Sequence, residues 1–213
     1  MANGYKPTGE YTYVVEGHEA ETSILHFPGF ESGVTIGKGY DMGSRESSEI
    51  YNDMIFIGMK REDALIVSQA SRLRHEKAKD FVKEYKNKIA KIDKSQKIKL
   101  FQKIWPEYIK EAKRLYDKFV STDTVKEIDI NSSSTTNLTW KKTKWDDLKD
   151  KIQDVIIDLR YQGQLKKEVA RAASKNDIEY LAKFIKDNSY LKQFELARRR
   201  VDYLHGKYSP KGF

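Results

Sequence analysis

The hydrophobic pattern of the 213-residue chain changes near residue 45, and this change constrains the fold more than any other feature. Before it, apolar residues form short runs separated by glycines, a pattern typical of short strands joined by tight turns. After it, in most of the chain from Ser44 to Leu204, they recur every three or four residues, as on one face of an amphipathic helix. The sequence therefore predicts an α+β fold that is mostly helical, with a small β-hairpin near the N-terminus.

Short apolar runs mark the strands expected in the N-terminal segment. The alternation of Tyr11, Tyr13 and Val15 predicts one short strand, because successive side chains of a strand point to opposite faces. The runs 24–27 and 34–36, with glycines around them, predict the strands of the hairpin.

Helical periodicity accounts for most of the remaining chain. Pro106 is expected to kink or divide the longest helix after Trp105, because proline cannot supply a backbone N–H. Residues 121–143 are predicted as a polar excursion and residues 145–161 as the central core helix. The expected helical ranges are 44–58, 60–73, 76–89, 94–120, 145–161, 169–173, 178–185 and 190–204.

The absence of cysteine limits the chemistry that the chain can perform. Without Cys there are no disulfides, thiolate metal sites or cysteine nucleophiles. The four histidines lack the spacing of a helical metal pair, and no Gly-x-Ser-x-Gly motif occurs. We therefore expect neither a metal nor another cofactor, and we assign any catalysis to carboxylates and hydroxyls.

Charge is distributed unevenly along the chain. The formal net charge is +8, yet residues 1–60 carry −5 and the remainder carries +13. A basic part of this size would suit a polyanion, either nucleic acid or a bacterial wall polymer, whereas the simpler interpretation is a solvated lysine-rich surface. The mean hydropathy of −0.75 and the lack of a long apolar run predict no membrane span. No secretory signal is visible, so we expect synthesis in the cytoplasm, and any action on a cell wall in the periplasm would require delivery by another route.

A glycine-rich run over residues 32–43, Ser-Gly-Val-Thr-Ile-Gly-Lys-Gly-Tyr-Asp-Met-Gly, is the strongest local motif. It does not match a phosphate-binding P-loop, since three residues instead of four separate Gly33 from Gly37, and glycine follows Lys38. It does not match a dinucleotide-binding fingerprint either, because its last three glycines span one residue too many.

Together with the Val-Glu-Gly tripeptide at residues 15–17, this run resembles the catalytic segment of phage-type lysozymes, and most closely that of pesticin-type bacterial toxin muramidases. In that family a Glu-Gly pair ends the first helix, and a Thr-Ile-Gly motif lies on a hairpin strand. In the toxin branch an Asp follows the second glycine by two residues. The matching positions in this sequence are Glu16, Thr35 and Asp41.

The resemblance implies a single lysozyme-like domain over residues 1–213. Its hairpin-containing lobe would extend to about residue 58, its helical lobe would cover 59–213, and a cleft would lie between them. Residues 154–163 resemble the family's buried central helix, and residues 198–206 resemble its basic last helix. The implied function is that of a muramidase, which hydrolyses the bond between N-acetylmuramic acid and N-acetylglucosamine in bacterial peptidoglycan. A cognate immunity protein would be a second partner, although no sequence feature indicates one.

The resemblance also assigns roles to individual residues. Glu16 would protonate the leaving oxygen, while Thr35 and Asp41 would position the attacking water. The apolar stretch before Glu16 is expected to form an apolar wall around its carboxyl group. Tyr40 and Gln162 are the candidate saccharide contacts.

Other interpretations remain open at the level of sequence. Glu19 and Glu21 are alternative positions for the acid and are otherwise solvated surface charges. A basic nucleic-acid-binding module would explain the charge of +13 but leaves the order of the motifs unexplained. A wall-binding protein that keeps the fold without activity is the third interpretation.

Overall fold

The computed structural model describes residues 5–18, 20–29, 31–121, 124–126, 139–211 and 213. Within these ranges the chain is mostly helical and has two small antiparallel sheets, which confirms the predicted α+β class. The helices are α1 (Glu10–Val15), α2 (Ser47–Phe56), α3 (Arg61–Ser68), α4 (His75–Tyr85), α5 (Lys94–Phe119), α6 (Asp150–Tyr161), α7 (Lys167–Ala173), α8 (Ile178–Asp187), α9 (Glu195–Arg198) and α10 (Arg200–Leu204). The strands are β1 (Thr35–Ile36), β2 (Tyr40–Asp41), β3 (Thr124–Lys126) and β4 (Thr139–Lys141).

A small hairpin is present near the N-terminus as predicted, but the run 24–27 is not one of its strands and contributes only an isolated bridge between His26 and Thr35. Strands β1 and β2 pair antiparallel, and Thr35 lies opposite Asp41. Gly37 and Gly39 in the connecting turn have φ angles of +63° and +84°, which glycine adopts without the steric cost of a side chain. The spacing of glycines in the sequence was therefore a reliable signal for this turn.

Helix α1 occupies the segment that the alternating pattern predicted as a strand. Tyr11 and Tyr13 are buried, and so is Thr12 between them, so this short helix buries consecutive residues. The ring of Tyr11 stacks on Tyr203 with centroids 4.1 Å apart, and its hydroxyl donates a hydrogen bond to the carbonyl of Arg198. The strand prediction is wrong because these tertiary contacts outweigh the local pattern.

Two segments in and after α5 also differ from expectation. The helix continues through Pro106, so it is not divided after Trp105, which was one of the two outcomes predicted there. The carbonyl of Gln102, which loses its helical partner at Pro106, belongs to an exposed residue and can be hydrated. Strands β3 and β4 form a second hairpin within 121–143, where the sequence indicated only a polar excursion. The Ser/Thr-rich stretch 132–136 lies outside the described residues.

The chain divides into two compact units. Unit 1 consists of Met1–Glu16 and Trp105–Phe213, and unit 2 consists of Gly17–Ile104. Unit 2 therefore extends beyond the expected boundary near residue 58, because the hairpin region pairs with the start of α4 and stays with the helices that follow it.

Each unit has its own core. In unit 1, every residue of α6 from 152 to 159 is buried, so α6 is the central helix that the sequence predicted. In unit 2, the core includes Tyr40 and Met42 from the hairpin region and Ile50 and Met54 from α2. None of the helices in the described ranges is both long and apolar enough to cross a membrane.

Candidate active-site residues

Glu16 lies directly after the last residue of α1. It is the C-terminal capping residue of this helix, and its backbone N–H donates to the carbonyl of Thr12. Gly17 follows with a φ of +60°, the left-handed conformation that commonly ends a helix. The Glu-Gly pair thus fixes where the Glu16 side chain leaves the helix.

Polar groups hold the carboxylate of Glu16. Arg198 Nη1 and Gln162 Nε2 both donate to Glu16 Oε2, at 2.7 and 2.8 Å. The Glu16 side chain is 24% exposed, whereas that of Arg198 is 6% exposed. These two hydrogen-bond donors come from α9 and from the end of α6, not from the residues that precede Glu16.

A buried charge cluster stands behind this pair. Arg198 Nη2 donates to Asp158 on α6, and Arg200 Nε donates to the other carboxylate oxygen of Asp158 at 2.8 Å. Arg200 Nη2 also donates to Gln164 Oε1 at 2.7 Å. Although burial disfavours the cation, the carboxylates of Asp158 and Glu16 raise the pKa of Arg198 above its ordinary value. Arg198 therefore remains charged and links Glu16 to the core of unit 1.

The turn between α9 and α10 explains how two nearby arginines become buried. Arg199 between them has a φ of +53°, a left-handed conformation, and pairs at the surface with Asp202. This turn allows Arg198 and Arg200 to point inward on either side of it. The sequence showed a basic stretch here but gave no indication that two of its members are buried.

Thr35 and Asp41 lie together in unit 2. They are directly opposite in the hairpin register, so their side chains project from the same face of the sheet. Thr35 is buried, and its hydroxyl donates to the carbonyl of Gly33 at 3.3 Å. Asp41 accepts hydrogen bonds from the N–H of Gly33 at 3.0 and 3.1 Å and from the N–H of Gly43 at 2.6 Å. These backbone donors hold the carboxylate of Asp41 in one orientation.

The close approach around Asp41 requires glycine at position 33. A Cβ atom on Gly33 would lie 2.4 Å from the nitrogen of Gly43 and 2.6 Å from Oδ1 of Asp41. The first neighbour is backbone and the second is a carboxylate oxygen held by two backbone N–H groups, so a larger residue would displace the carboxylate. The glycines of the motif therefore shape the position of Asp41 as well as the turn.

Tyr40 is placed differently from its predicted role. It is completely buried, and its hydroxyl donates to Asp53 Oδ2 at 2.7 Å. Asp53 also pairs with Lys103, with a distance of 3.0 Å from Nζ to Oδ1. Burial raises the pKa of Tyr40 above its ordinary value. Because adjacent strand residues point to opposite faces, Tyr40 points away from the face of Asp41 and offers no surface to a saccharide.

The structure thus brings the predicted residues together in two pairs. Gln162 lies beside Glu16 in unit 1, and Thr35 lies beside Asp41 in unit 2. Glu21, the alternative acid, has a side chain that is 61% exposed. Glu19 lies outside the described residues.

Comparison with known protein families assigns the sequence to a family. A family model described as a domain of unknown function, DUF8812, matches residues 9–201. The chain belongs to the DUF8812 family. The matched range contains Glu16, the hairpin and Arg198, so the proposed catalytic residues and the buried charge cluster lie inside the family domain. No curated protein matches the sequence.

A second buried carboxylate of the DUF8812 domain lies one turn before Asp158 on α6. The hydroxyls of Tyr5 and Tyr203 both donate to Asp154 Oδ2, at 2.7 and 2.6 Å. Burial raises the pKa of Asp154 to about 6, against the opposing effect of these two hydrogen bonds. Asp154 and both tyrosines line a cavity of about 350 Å³ together with Lys151.

Asp154 is expected to make the stability of the domain depend on pH. Because its folded pKa lies above the ordinary value of 3.8, the folded state holds a proton that the unfolded state releases. Its contribution to the free energy of unfolding is therefore full below about pH 4 and falls by about 3 kcal/mol as the pH rises to about 6.

Urea unfolding of Asp154→Asn tests this dependence. The amide oxygen still accepts from both tyrosines, but the group no longer titrates. The free energy of unfolding of the variant minus that of the wild type should therefore be about 3 kcal/mol larger at about pH 7.5 than at about pH 4. The same change at the exposed Asp146 serves as the control. Parallel pH profiles for Asp154→Asn and the wild type would contradict the assignment.

Proposed function

We propose that this DUF8812 protein is a peptidoglycan muramidase, which hydrolyses the bond between N-acetylmuramic acid and N-acetylglucosamine. The observation that carries the proposal is the combination of local geometries around the motif. A Glu-Gly pair ends the first helix, and the Thr and Asp of the motif face each other across a glycine-turned hairpin. These are the positions that the resemblance to pesticin-type muramidases assigns to catalysis.

The proposed reaction uses one carboxyl group as an acid and the other to direct water. Glu16 donates a proton to the glycosidic oxygen while the bond from C1 of the sugar to that oxygen breaks. The oxygen of a water molecule forms a new bond to C1, and Asp41 accepts a proton from this water. The Thr35 hydroxyl, which can donate and accept, orients the same water.

Arg198 and Gln162 act in this proposal as positioning residues. Both donate to the same oxygen of Glu16, which leaves Oε1 without a hydrogen bond from either of them. The proton to be donated would therefore be carried on Oε1. Asp158 and Arg200 support the arrangement by fixing the guanidinium of Arg198.

Digestion of purified peptidoglycan by the full chain tests the proposed function. We expect new reducing ends on N-acetylmuramic acid, detected by reduction of the products followed by sugar analysis. Reducing ends on N-acetylglucosamine, or release of peptides without cleavage of the glycan, would identify a different hydrolase. Peptidoglycan that remains intact under conditions where the chain is folded would exclude hydrolysis altogether.

We expect hydrolysis to invert the configuration at the anomeric carbon. A directed water attacks from the face opposite the leaving group, whereas a carboxylate nucleophile would form a covalent intermediate and lead to retention. NMR of a soluble glycan fragment in the first minutes of reaction measures which anomer forms first. Retention would make Asp41 a nucleophile and remove the need for Thr35.

A further inference from the structure

Unit 2 carries a strongly basic segment that the proposed hydrolysis does not use. Between residues 77 and 103 there are ten lysines and three carboxylates, which gives a net charge of +7. The segment comprises most of α4, the connection to α5 and the beginning of α5, and every residue in it is described. Nine of the ten lysines are exposed, and Lys97 is the buried one.

Most of this charge is not neutralised within the chain. Lys79, Lys88 and Lys103 pair with Glu76, Glu84 and Asp53. The other six exposed lysines of the segment have no ion-pair partner among the described residues. We call them the lysine surface: Lys77, Lys83, Lys86, Lys91, Lys94 and Lys99.

Helix electrostatics do not account for this surface. Lys83 and Lys86 lie at the C-terminal end of α4, where the helix dipole favours cations. Lys94 is the first residue of α5, where the dipole disfavours a cation, and the first turn of α5 contains no acidic residue. Asp93 lies between Lys91 and Lys94 and accepts a hydrogen bond from the N–H of Gln96, so capping of α5 explains this carboxylate but neither of the two lysines beside it.

Buried side chains and hydrogen bonds hold the middle of this segment in place. Phe81 of α4 and Ile89 and Ile92 of the connection are buried. The N–H of Ile92 donates to the carbonyl of Ser23, and the N–H of Ala90 donates to Asp63. The buried side chains and these hydrogen bonds anchor the connection between the two helices.

We propose that the lysine surface binds a phosphodiester polymer that lacks bases, as in the glycerol-phosphate polymers of bacterial walls. Lysine is a point charge that suits phosphates without defined geometry, whereas arginine provides the bidentate contacts common in nucleic-acid recognition. Residues 77–103 contain no arginine. Their aromatic side chains are the buried Phe81 and Phe101 and the half-buried Tyr85, which lies under Lys88, so none offers a stacking platform for bases.

Binding of the full chain to poly(glycerol phosphate) tests the proposal without requiring catalysis. The result is therefore independent of whether the proposed hydrolysis is correct. If each of the six lysines contacts one phosphate, raising the salt concentration from about 50 to about 200 mM should lower the affinity roughly 300-fold. This value uses the slope of log affinity against log salt concentration that applies to a flexible single-stranded polyanion. Isothermal titration or fluorescence anisotropy measures this loss.

A charge-neutralising variant locates the binding surface. Combining Lys83→Gln, Lys86→Gln, Lys91→Gln and Lys94→Gln leaves two contacts, so the same change in salt should lower affinity only about 7-fold. The matched control neutralises four exposed lysines of unit 1, and its affinity should depend on salt concentration as that of the wild type does. It combines Lys166→Gln, Lys167→Gln, Lys186→Gln and Lys192→Gln.

Three outcomes would overturn the proposal. Equal loss in the control variant would show a diffuse charge effect in place of a defined surface. Tighter binding to single-stranded DNA with the same number of phosphates would identify a nucleic acid as the partner. Absence of binding to poly(glycerol phosphate) at about 50 mM salt would leave only a solvated surface, because screening is already weak there.

Discussion

Replacing Glu16 by glutamine is expected to reduce peptidoglycan hydrolysis by at least about 100-fold, because an amide cannot donate the proton that the leaving oxygen needs. The fold should be preserved. Arg198 and Gln162 both donate to one oxygen of Glu16, and the carbonyl oxygen of the amide can accept both hydrogen bonds. Loss of turbidity of a peptidoglycan suspension measures the rate, and circular dichroism during heating checks the fold.

The matched control for this experiment is Glu21→Gln. The side chain of Glu21 is 61% exposed and lies 3.9 Å from that of the exposed His18, so its replacement should leave both activity and stability unchanged. Nearly normal lysis by Glu16→Gln together with an inactive Glu21→Gln would move the acid along the chain. Nearly normal lysis by both variants would exclude an acid at either position.

Thr35 offers a finer test of the same reaction. Thr35→Val keeps the β-branched shape that suits a strand but removes the hydroxyl, whereas Thr35→Ser keeps the hydroxyl. If the hydroxyl orients water, activity should fall in the valine variant and persist in the serine variant. Equal activity in the two variants would reduce Thr35 to a packing residue.

The sequence predicted those parts of the fold that short-range signals determine. The turn between β1 and β2 follows from the spacing of Gly37 and Gly39, since their positive φ angles favour glycine. The central position of α6 follows from its apolar residues, which are buried along its length. The alternating pattern missed helix α1, although the Glu-Gly pair of the resemblance implied a helix that ends at Glu16, because alternating tyrosines fit both a half-buried strand and a short helix buried by distant partners.

The candidate site was predictable only where its residues are close in sequence. Thr35 and Asp41 lie six positions apart, and the motif places them on one hairpin. The contacts of Glu16 come from residues about 150 to 180 positions away, so no local pattern can indicate them. Asp158 gives only an indirect signal, as a carboxylate inside an apolar helix, which requires a buried cationic partner.

The largest effect on stability is expected at Asp158. Its carboxylate is completely buried and is the shared partner of Arg198 and Arg200. Removing one member of a buried ion pair leaves an uncompensated charge and costs about 3–5 kcal/mol. We therefore expect Asp158→Asn to lower the free energy of unfolding by about this amount at neutral pH.

Asp154→Asn is the matched control for the Asp158 prediction, since it makes the same change one turn earlier on the same helix. Asp154 accepts hydrogen bonds from two neutral tyrosine hydroxyls. Its replacement by asparagine keeps an acceptor for both and should not destabilise the domain at neutral pH. Arg198 still pairs with Glu16 in Asp158→Asn, and Arg200 keeps only Glu195 at 3.5 Å as an ion-pair partner. Combining Asp158→Asn with Arg200→Met should therefore recover part of the loss, because the second change removes the buried cation that depends most on Asp158. Urea unfolding of the three variants measures these differences. Two results would contradict this prediction: a decrease in the free energy of unfolding below about 1 kcal/mol for Asp158→Asn, or a decrease equal to that of Asp154→Asn. Either result would show that water or other groups compensate the two arginines, and that the cluster does not anchor Glu16.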